Sequence, residues 1–193
     1  MARPNTEPDQ REQRNSCALD TMRLAPSDRV GLFIDGFHLH TACKTLNVEI
    51  DFKRLLDLFR DRAHLVRALY FTVVSDERDC AVRPLLDWLD YNGYTIVRQH
   101  AKADCELSQR TAKSSMMVEL AVDTLQLAQS LDHIVIISGG GQFRRLVEML
   151  QINGKRVSVL STLATRPPMV SDELRRQADQ FIELADLASD IRR

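Results

Sequence analysis

Cysteine is scarce in this sequence and widely spaced where it occurs. The 193 residues include four cysteines, Cys17, Cys43, Cys80 and Cys105, and no CxxC pair. That spacing does not fit a zinc finger, and a disulfide framework is unusual in a chain of this size. We therefore expect reduced thiols, most of them packed in the interior, and a reducing compartment.

Neither sign of charge dominates the chain. Lys and Arg total 26 against 27 Asp and Glu, which gives a formal net charge of −1 at pH 7. Bulk charge therefore does not indicate a nucleic-acid-binding protein, and any basic footprint has to be a local cluster. With 44% hydrophobic and 27% charged residues, the composition is typical of one folded domain with a tail.

Long hydrophobic runs are also missing. The first residues, MARPNTEPDQREQRNS, lack the apolar core of a signal peptide, and no later stretch approaches the ~20 apolar residues that span a bilayer. The sequence therefore predicts a soluble, cytoplasmic protein with no membrane contact. Residues 1–28 hold too little apolar surface to offset the entropy of ordering them, so we expect a flexible N-terminal arm.

From Arg29 onward, short apolar runs alternate with helical patterns. The predicted strands are Val30–Ile34, Val66–Val74, Tyr94–Arg98, Ile134–Ile137 and Val157–Leu160. The longest predicted helix covers Ser114–Leu131. This alternation predicts a three-layer α/β/α fold around a central, mainly parallel five-stranded sheet. The segment FIEL near the C-terminus is a candidate for a short sixth strand at the edge.

Two of the predicted strands end in short polar loops. Asp35-Gly36-Phe37-His38 follows the first strand, and Ser138-Gly-Gly-Gly-Gln142 follows the fourth. In open parallel sheets, ligands bind beyond the carboxyl ends of strands, where the strand order reverses. We therefore expect the functional site at these loops. Both the GxGxxG fingerprint and the Walker A motif are absent, so the loops do not predict a nucleotide cofactor.

Four segments occur in a characteristic order along the chain. They are FIDGFHL at 33–39, VELAVD at 118–123, IVIISGGGQF at 134–143 and SDELRRQADQFIEL at 171–184. Together they resemble the LabA-like NYN domain family of the PIN-like nuclease superfamily. The first three family patterns read roughly F-[IV]-D-G-x-N-L, K-G-V-D-V-E-L-A-V-D and S-G-D-G-D-F. The resemblance implies an NYN (PIN-like) domain over residues 29–187, followed by a tail at 188–193.

The resemblance implies metal-dependent cleavage of RNA. In the family, acidic side chains from the ends of the first and fourth strands and from the long helix converge on Mg²⁺ or Mn²⁺, which activates water and neutralises the phosphate. Of the matched acidic positions, this chain keeps Asp35. His38 stands where the family has Asn, while Met117, Gly140 and Gln142 stand at lost acidic positions. We therefore expect no bound Mg or Mn, hence no metal cofactor, and little or no hydrolysis.

The remnant residues also have purely structural interpretations. Asp35 could cap the helix that follows it. His38 could be a ligand, a base or a phosphate contact, or simply a hydrogen-bonded, partly buried side chain. The glycines before Gln142 could cradle an anion with their N–H groups or could be a relic loop. Met116 and Met117 would fill the former metal site with apolar bulk.

Basic residues near the predicted site are candidate phosphate contacts. They are Arg98, Lys102, Lys113, Arg144 and Arg145. Because Asp104 and Glu106 lie in the same stretch, a solvated loop of mixed charge is the competing interpretation. Phe37 and Tyr91 are the main candidates for base stacking, although either could belong to the core.

Two functional hypotheses follow. In the first, the protein is a non-catalytic regulator or adaptor that binds RNA, a protein partner or a second copy of itself. In the second, it is a weak or altered Mg/Mn-dependent RNA endonuclease, in which Asp35 and His38 act with Glu119 or Asp123. Two carboxylates within ~5 Å would favour the nuclease, whereas Met117 in that space would favour the adaptor. A basic groove would favour RNA, and an exposed apolar patch a protein partner.

Overall fold

The computed structural model describes residues 23–75, 79–102 and 105–193, with the side chains of residues 79–81 excepted. Most of the arm predicted at 1–28 lies outside the described residues. Within these ranges, no helix is both long and apolar enough to cross a membrane.

Six parallel strands form a single sheet in the order β3-β2-β1-β4-β5-β6. Their bounds are β1 Arg29–Asp35, β2 His64–Val74, β3 Thr95–His100, β4 His133–Ile137, β5 Arg156–Ser161 and β6 Gln180–Glu183. The predicted α/β fold is confirmed. The FIEL segment supplies most of β6, the sixth strand, at the edge of the sheet. In the pairing of β6 with β5, Gln180 lies opposite Ser158 and Glu183 lies opposite Ser161.

The central strands β1 and β4 are buried almost throughout. Every residue of β1 after Arg29 is buried, as are all five residues of β4. Strands covered on both faces read as continuous apolar runs, and for that reason the sequence revealed these two clearly. Their register, with Ile34 opposite Ile137, brings Asp35 and Ser138 side by side at the carboxyl end of the sheet.

Helices cover both faces of the sheet. Their bounds are α1 Gly36–Thr45, α2 Phe52–Arg60, α3 Asp79–Tyr91, α4 Glu106–Ala128, α5 Arg144–Ile152, α6 Asp172–Gln177 and α7 Leu184–Ile191, with a 3₁₀ turn at Gly141–Phe143. Helices α1, α2, α3 and α7 pack into one core cluster, and α4, α5 and α6 into the other. These two apolar layers make the three-layer sandwich that a parallel sheet requires.

The long helix α4 begins earlier than the sequence predicts. It starts at Glu106, eight residues before the predicted start at Ser114, and the Cys105 Sγ accepts a hydrogen bond from the Ser108 N–H at 3.4 Å. The first turns of α4 carry mostly exposed or half-exposed side chains. Exposed turns lack the apolar periodicity that marks a helix in sequence, so the predicted boundary was wrong.

The C-terminal segment packs against the domain beyond the predicted boundary at residue 187. Helix α7 continues to Ile191, which is fully buried. The Asp51 N–H donates to the Ile191 carbonyl at 2.7 Å, and the Arg193 N–H donates to the Glu49 carbonyl at 2.9 Å. Part of the tail expected at 188–193 therefore packs in the same helical layer as α2.

Candidate functional site

A pocket opens at the carboxyl ends of β1 and β4, where the strand order reverses. It encloses about 280 Å³. The lining comes from the two strand ends, from α1 and α4 and from the loops before α5 and α6. It consists of Asp35, Phe37, His38, Thr41, Lys113, Met117, Ser138, Gly139, Gly140, Gln142 and Met169. The structure thus brings together the two loops and the long-helix position that the sequence marked as the remnant site.

Asp35 anchors the floor of this pocket. Its side chain is 3% exposed. One carboxylate oxygen accepts the backbone N–H of His38 at 3.0 Å, which caps α1. The other accepts the hydroxyl of Ser138 at 3.1 Å and so ties the end of β1 to the end of β4. Both oxygens are therefore engaged in holding the local structure, as the capping interpretation expects.

His38 forms part of the pocket wall. Its Nε2 and the hydroxyl oxygen of Ser161, at the end of β5, lie 2.9 Å apart. Burial lowers the pKa of His38; the Asp35 carboxylate partly opposes this effect and the Lys113 ammonium adds to it. The imidazole is consequently neutral at pH 7 and hydrogen-bonded within the wall.

The three positions at which the family resemblance expects acidic residues, Met117, Gly140 and Gln142, lie close to one another. The Gln142 Nε2 donates a hydrogen bond to the Met117 sulfur at 3.0 Å. A Cβ atom at Gly140 would overlap the Gln142 side-chain amide, so that amide folds over the glycine. Met117 and Gln142 thus occupy, with a thioether and an amide, space where the family resemblance places carboxylates.

This lining does not fit a Mg²⁺ or Mn²⁺ ion. Asp35 is the only carboxylate among the lining residues that the structure describes, and both of its oxygens already accept hydrogen bonds. Among the described residues, no three His, Cys, Asp or Glu side chains are grouped closely enough to hold a metal. Hard cations need several oxygen ligands, which a thioether, a glycine and a neutral imidazole do not supply.

Glu119 and Asp123 do not restore the missing carboxylates. They belong to α4, but neither lines the pocket. The Glu119 Oε1 instead accepts a hydrogen bond from Gln99 of β3 at 2.6 Å. Burial, followed by repulsion from Glu119, raises the pKa of Asp123. Glu119 is therefore held by β3, and neither carboxylate belongs to the lining that contains Asp35.

Phe37 and Lys113 meet at the rim of the pocket. The Phe37 ring is 59% exposed, and the Lys113 ammonium lies 4.1 Å from the ring centroid. This geometry is a cation–π contact. Tyr91 is even more exposed, at 92%, but it is the last residue of α3 and lies at the amino ends of the strands, opposite the pocket. Neither aromatic belongs to the core, and of the two only Phe37 lies at the site.

Of the five basic candidates, Lys113 alone lines the pocket. Arg98 on β3 and Lys102 just after it are exposed at the same end of the sheet. Arg144 and Arg145 both pair with Glu148 on α5, at 3.3 and 2.9 Å. The described residues therefore present one cation at the pocket rather than a continuous basic groove.

Three residues of the site, Thr41, Ser161 and Met169, escaped the sequence prediction, whereas Ser138 belongs to a loop that was predicted. Ser138 and Ser161 end parallel strands and bond Asp35 and His38 respectively. Met169 comes from the connection between β5 and α6, and its carbonyl oxygen would overlap a Cβ atom placed at Gly139. A polar residue at the carboxyl end of the strand was the available signal for Ser161. Nothing local in the sequence marks Met169.

Comparisons with known proteins agree with this architecture. The profile of the NYN domain family matches residues 29–185. The chain belongs to the NYN domain family. The low amplitude and bright protein LabA of Synechococcus elongatus is 30% identical over 173 residues, covering 87% of this chain and 89% of that protein. The resemblance to LabA-like NYN domains is thus confirmed.

A solved structure shares the fold of this NYN domain. A protein of unknown function from Vibrio parahaemolyticus superposes with a TM-score of 0.70, at 20% identity, over 87% of this chain and 98% of that one. At this level of identity, the likeness concerns the fold alone.

Proposed function

We propose that this NYN domain is a non-catalytic regulator that binds single-stranded RNA at the remnant of a metal site. The observation that carries the proposal is the contact between Gln142 and Met117, which fills with neutral groups the positions of two family acids. Such a site lies where the family resemblance expects a nuclease site but lacks the oxygen ligands that metal-assisted hydrolysis needs.

RNA as the ligand is supported by the rim of the pocket. Phe37 offers an exposed ring, and Lys113 offers an ammonium group over one face of it. Proteins that bind single strands combine aromatic faces with nearby cations in this way. The loss of acidic side chains also removes repulsion between the pocket and an RNA backbone.

Binding is tested with a fluorescently labelled single-stranded RNA and measured by anisotropy. We expect Lys113→Ala to weaken binding. Lys53→Ala is the matched control, because Lys53 is an exposed lysine on α2, outside the pocket lining. Equal weakening by both variants, or no binding by the wild-type protein, would remove the assignment of RNA to this pocket.

A second candidate function, protein binding, is favoured by the outer face of α4. Val118, Val122 and Leu125 are exposed there at helical spacing, and the exposed residues from Ser114 to Gln126 are all uncharged. Interface centres are depleted of charge in the same way. Sedimentation velocity over a range of concentrations tests the case of a second copy. Association that Val122→Glu abolishes would support it, and a monomer at every concentration would exclude it.

A further inference from the structure

The charge of the pocket is balanced rather than basic. Among its lining residues, Asp35 and Lys113 carry opposite formal charges, and His38 is neutral at pH 7. A phosphate that entered would meet one ammonium group and one buried carboxylate. Sites that hold phosphates present a surplus of positive charge or donors. The interior therefore favours an uncharged group.

Apart from Asp35 and Lys113, the pocket wall carries no formal charge. It includes Met117, Met169 and Gln142. Thioether sulfur makes favourable contacts with aromatic rings, and an amide both donates and accepts hydrogen bonds. Such a wall suits a flat heteroaromatic group with polar edges.

The rim adds a surface on which such a group can stack. The exposed Phe37 ring stands at the entrance with the Lys113 ammonium 4.1 Å from its centroid. Bases stack on aromatic side chains irrespective of sequence. A base beside Phe37 also brings its own phosphate close to Lys113 at the rim.

We propose that this pocket receives one unstacked nucleobase of the RNA, and that the phosphate stays at the rim. The inference rests on the proposed RNA-binding function and specifies which part of the RNA enters. The volume of about 280 Å³ is small for a ligand site and matches a single base rather than a folded element.

The test uses the methyl groups of methionine as reporters in ¹³C NMR spectra. Met117 and Met169 line the pocket, whereas Met149 lies on α5, outside the lining, and serves as the internal reference. The probes are the uncharged nucleosides guanosine and uridine, together with inorganic phosphate. We expect a nucleoside to shift the Met117 and Met169 signals saturably without moving Met149, and phosphate to leave all three unchanged.

Two variants identify the stacking surface. Phe37→Ala is expected to weaken nucleoside binding by about 5- to 150-fold, the range that corresponds to loss of one base–aromatic stack. Tyr91→Ala is the matched control, since Tyr91 is an exposed aromatic at the opposite edge of the sheet. Both side chains are exposed on helices, so circular dichroism should show two folded proteins. Equal nucleoside affinity of the two variants would overturn the role of Phe37.

Anisotropy with an RNA oligonucleotide and an abasic oligonucleotide of equal length separates this inference from the proposed function. Weaker binding of the abasic strand supports both. Equal binding of the two strands, with phosphate but not nucleosides shifting the methyl signals, overturns base capture and leaves RNA binding standing. Nucleoside shifts without RNA binding support the pocket assignment and contradict the proposed function. No response to any probe contradicts both.

Discussion

At the scale of single residues, the glycines after β4 differ in what surrounds them. A Cβ atom at Gly139 would overlap the backbone carbonyl of Met169, whereas one at Gly140 would overlap only the Gln142 side-chain amide. The Ser171 N–H also donates to the Gly139 carbonyl at 2.9 Å, which fixes the two loops together. A backbone carbonyl cannot move aside as easily as the end of a flexible side chain. Glycine is therefore required at position 139, whereas Gly140 can be replaced.

Two alanine substitutions test this difference. Gly139→Ala is expected to lower the free energy of unfolding by about 1–3 kcal/mol, the usual cost of overpacking. Gly140→Ala should cost less than about 1 kcal/mol, because φ −73 and ψ 124 suit any residue and Gln142 can swing away. Urea denaturation measures both. A larger loss for Gly140→Ala would contradict the packing described for the loop.

The buried His133 should make the stability of the protein depend on pH in the acidic range. It is 2% exposed, its Nε2 lies 2.7 Å from the Ser158 hydroxyl oxygen, and its Nδ1 has no partner among the described residues. Burial, reinforced by Arg156 and partly opposed by Asp28 and Asp179, lowers the pKa of His133 to about 4. Because the unfolded chain takes up the proton more readily, protonation favours unfolding.

The free energy of unfolding should therefore fall as the pH falls from 6.5 to 4. The contribution of His133 is about 3 kcal/mol over that window. His133→Asn should flatten the profile, whereas His64→Asn, at an exposed histidine on β2, should not. Chemical denaturation at a series of pH values measures the effect. An unchanged profile in His133→Asn would show that this histidine is not the responsible group.

At the scale of elements, the predictable parts were those whose burial leaves a pattern in the sequence. The buried strands β1 and β4 and the loops after them were recognised, and so was the cap at Asp35. The start of α4 was missed, because its first turns face solvent. Ser161 and Met169 reach the site from the β5 end and the loop beyond it, and that convergence depends on strand order, which no local pattern specifies.

The cap of α1 tests whether Asp35 has a structural role. Asp35→Asn keeps an oxygen for the His38 N–H and should change the free energy of unfolding by less than about 1 kcal/mol. Asp35→Ala loses the cap and the partner of the buried Ser138 hydroxyl, and should cost about 1–3 kcal/mol. Thermal or urea denaturation distinguishes them. Equal stability of the two variants would contradict the capping role.

At the scale of the whole molecule, the near-neutral net charge limits how strongly RNA can be attracted. The formal net charge is −1, and Arg144 and Arg145 are both paired with Glu148. For single strands, each phosphate contact adds about −0.7 to the slope of the logarithm of the association constant against the logarithm of salt concentration. A domain with one cation at its pocket should therefore bind RNA with little salt dependence.

We expect the logarithm of the RNA association constant to fall with the logarithm of salt concentration with a slope of about −0.7 to −1.4. That range corresponds to one or two phosphate contacts. Lys113→Ala should make the slope shallower. Anisotropy titrations at several salt concentrations measure it, and a slope steeper than about −3 would require a basic groove that the described surface does not present.

We expect the pocket at the ends of β1 and β4 to bind no catalytic metal. Calorimetric titration of the purified domain with MnCl₂, followed by incubation with labelled single-stranded RNA, tests this expectation most directly. We expect no saturable heat and intact RNA. Saturable binding together with Mn²⁺-dependent cleavage, both lost in Asp35→Asn, would contradict this expectation and establish an altered endonuclease.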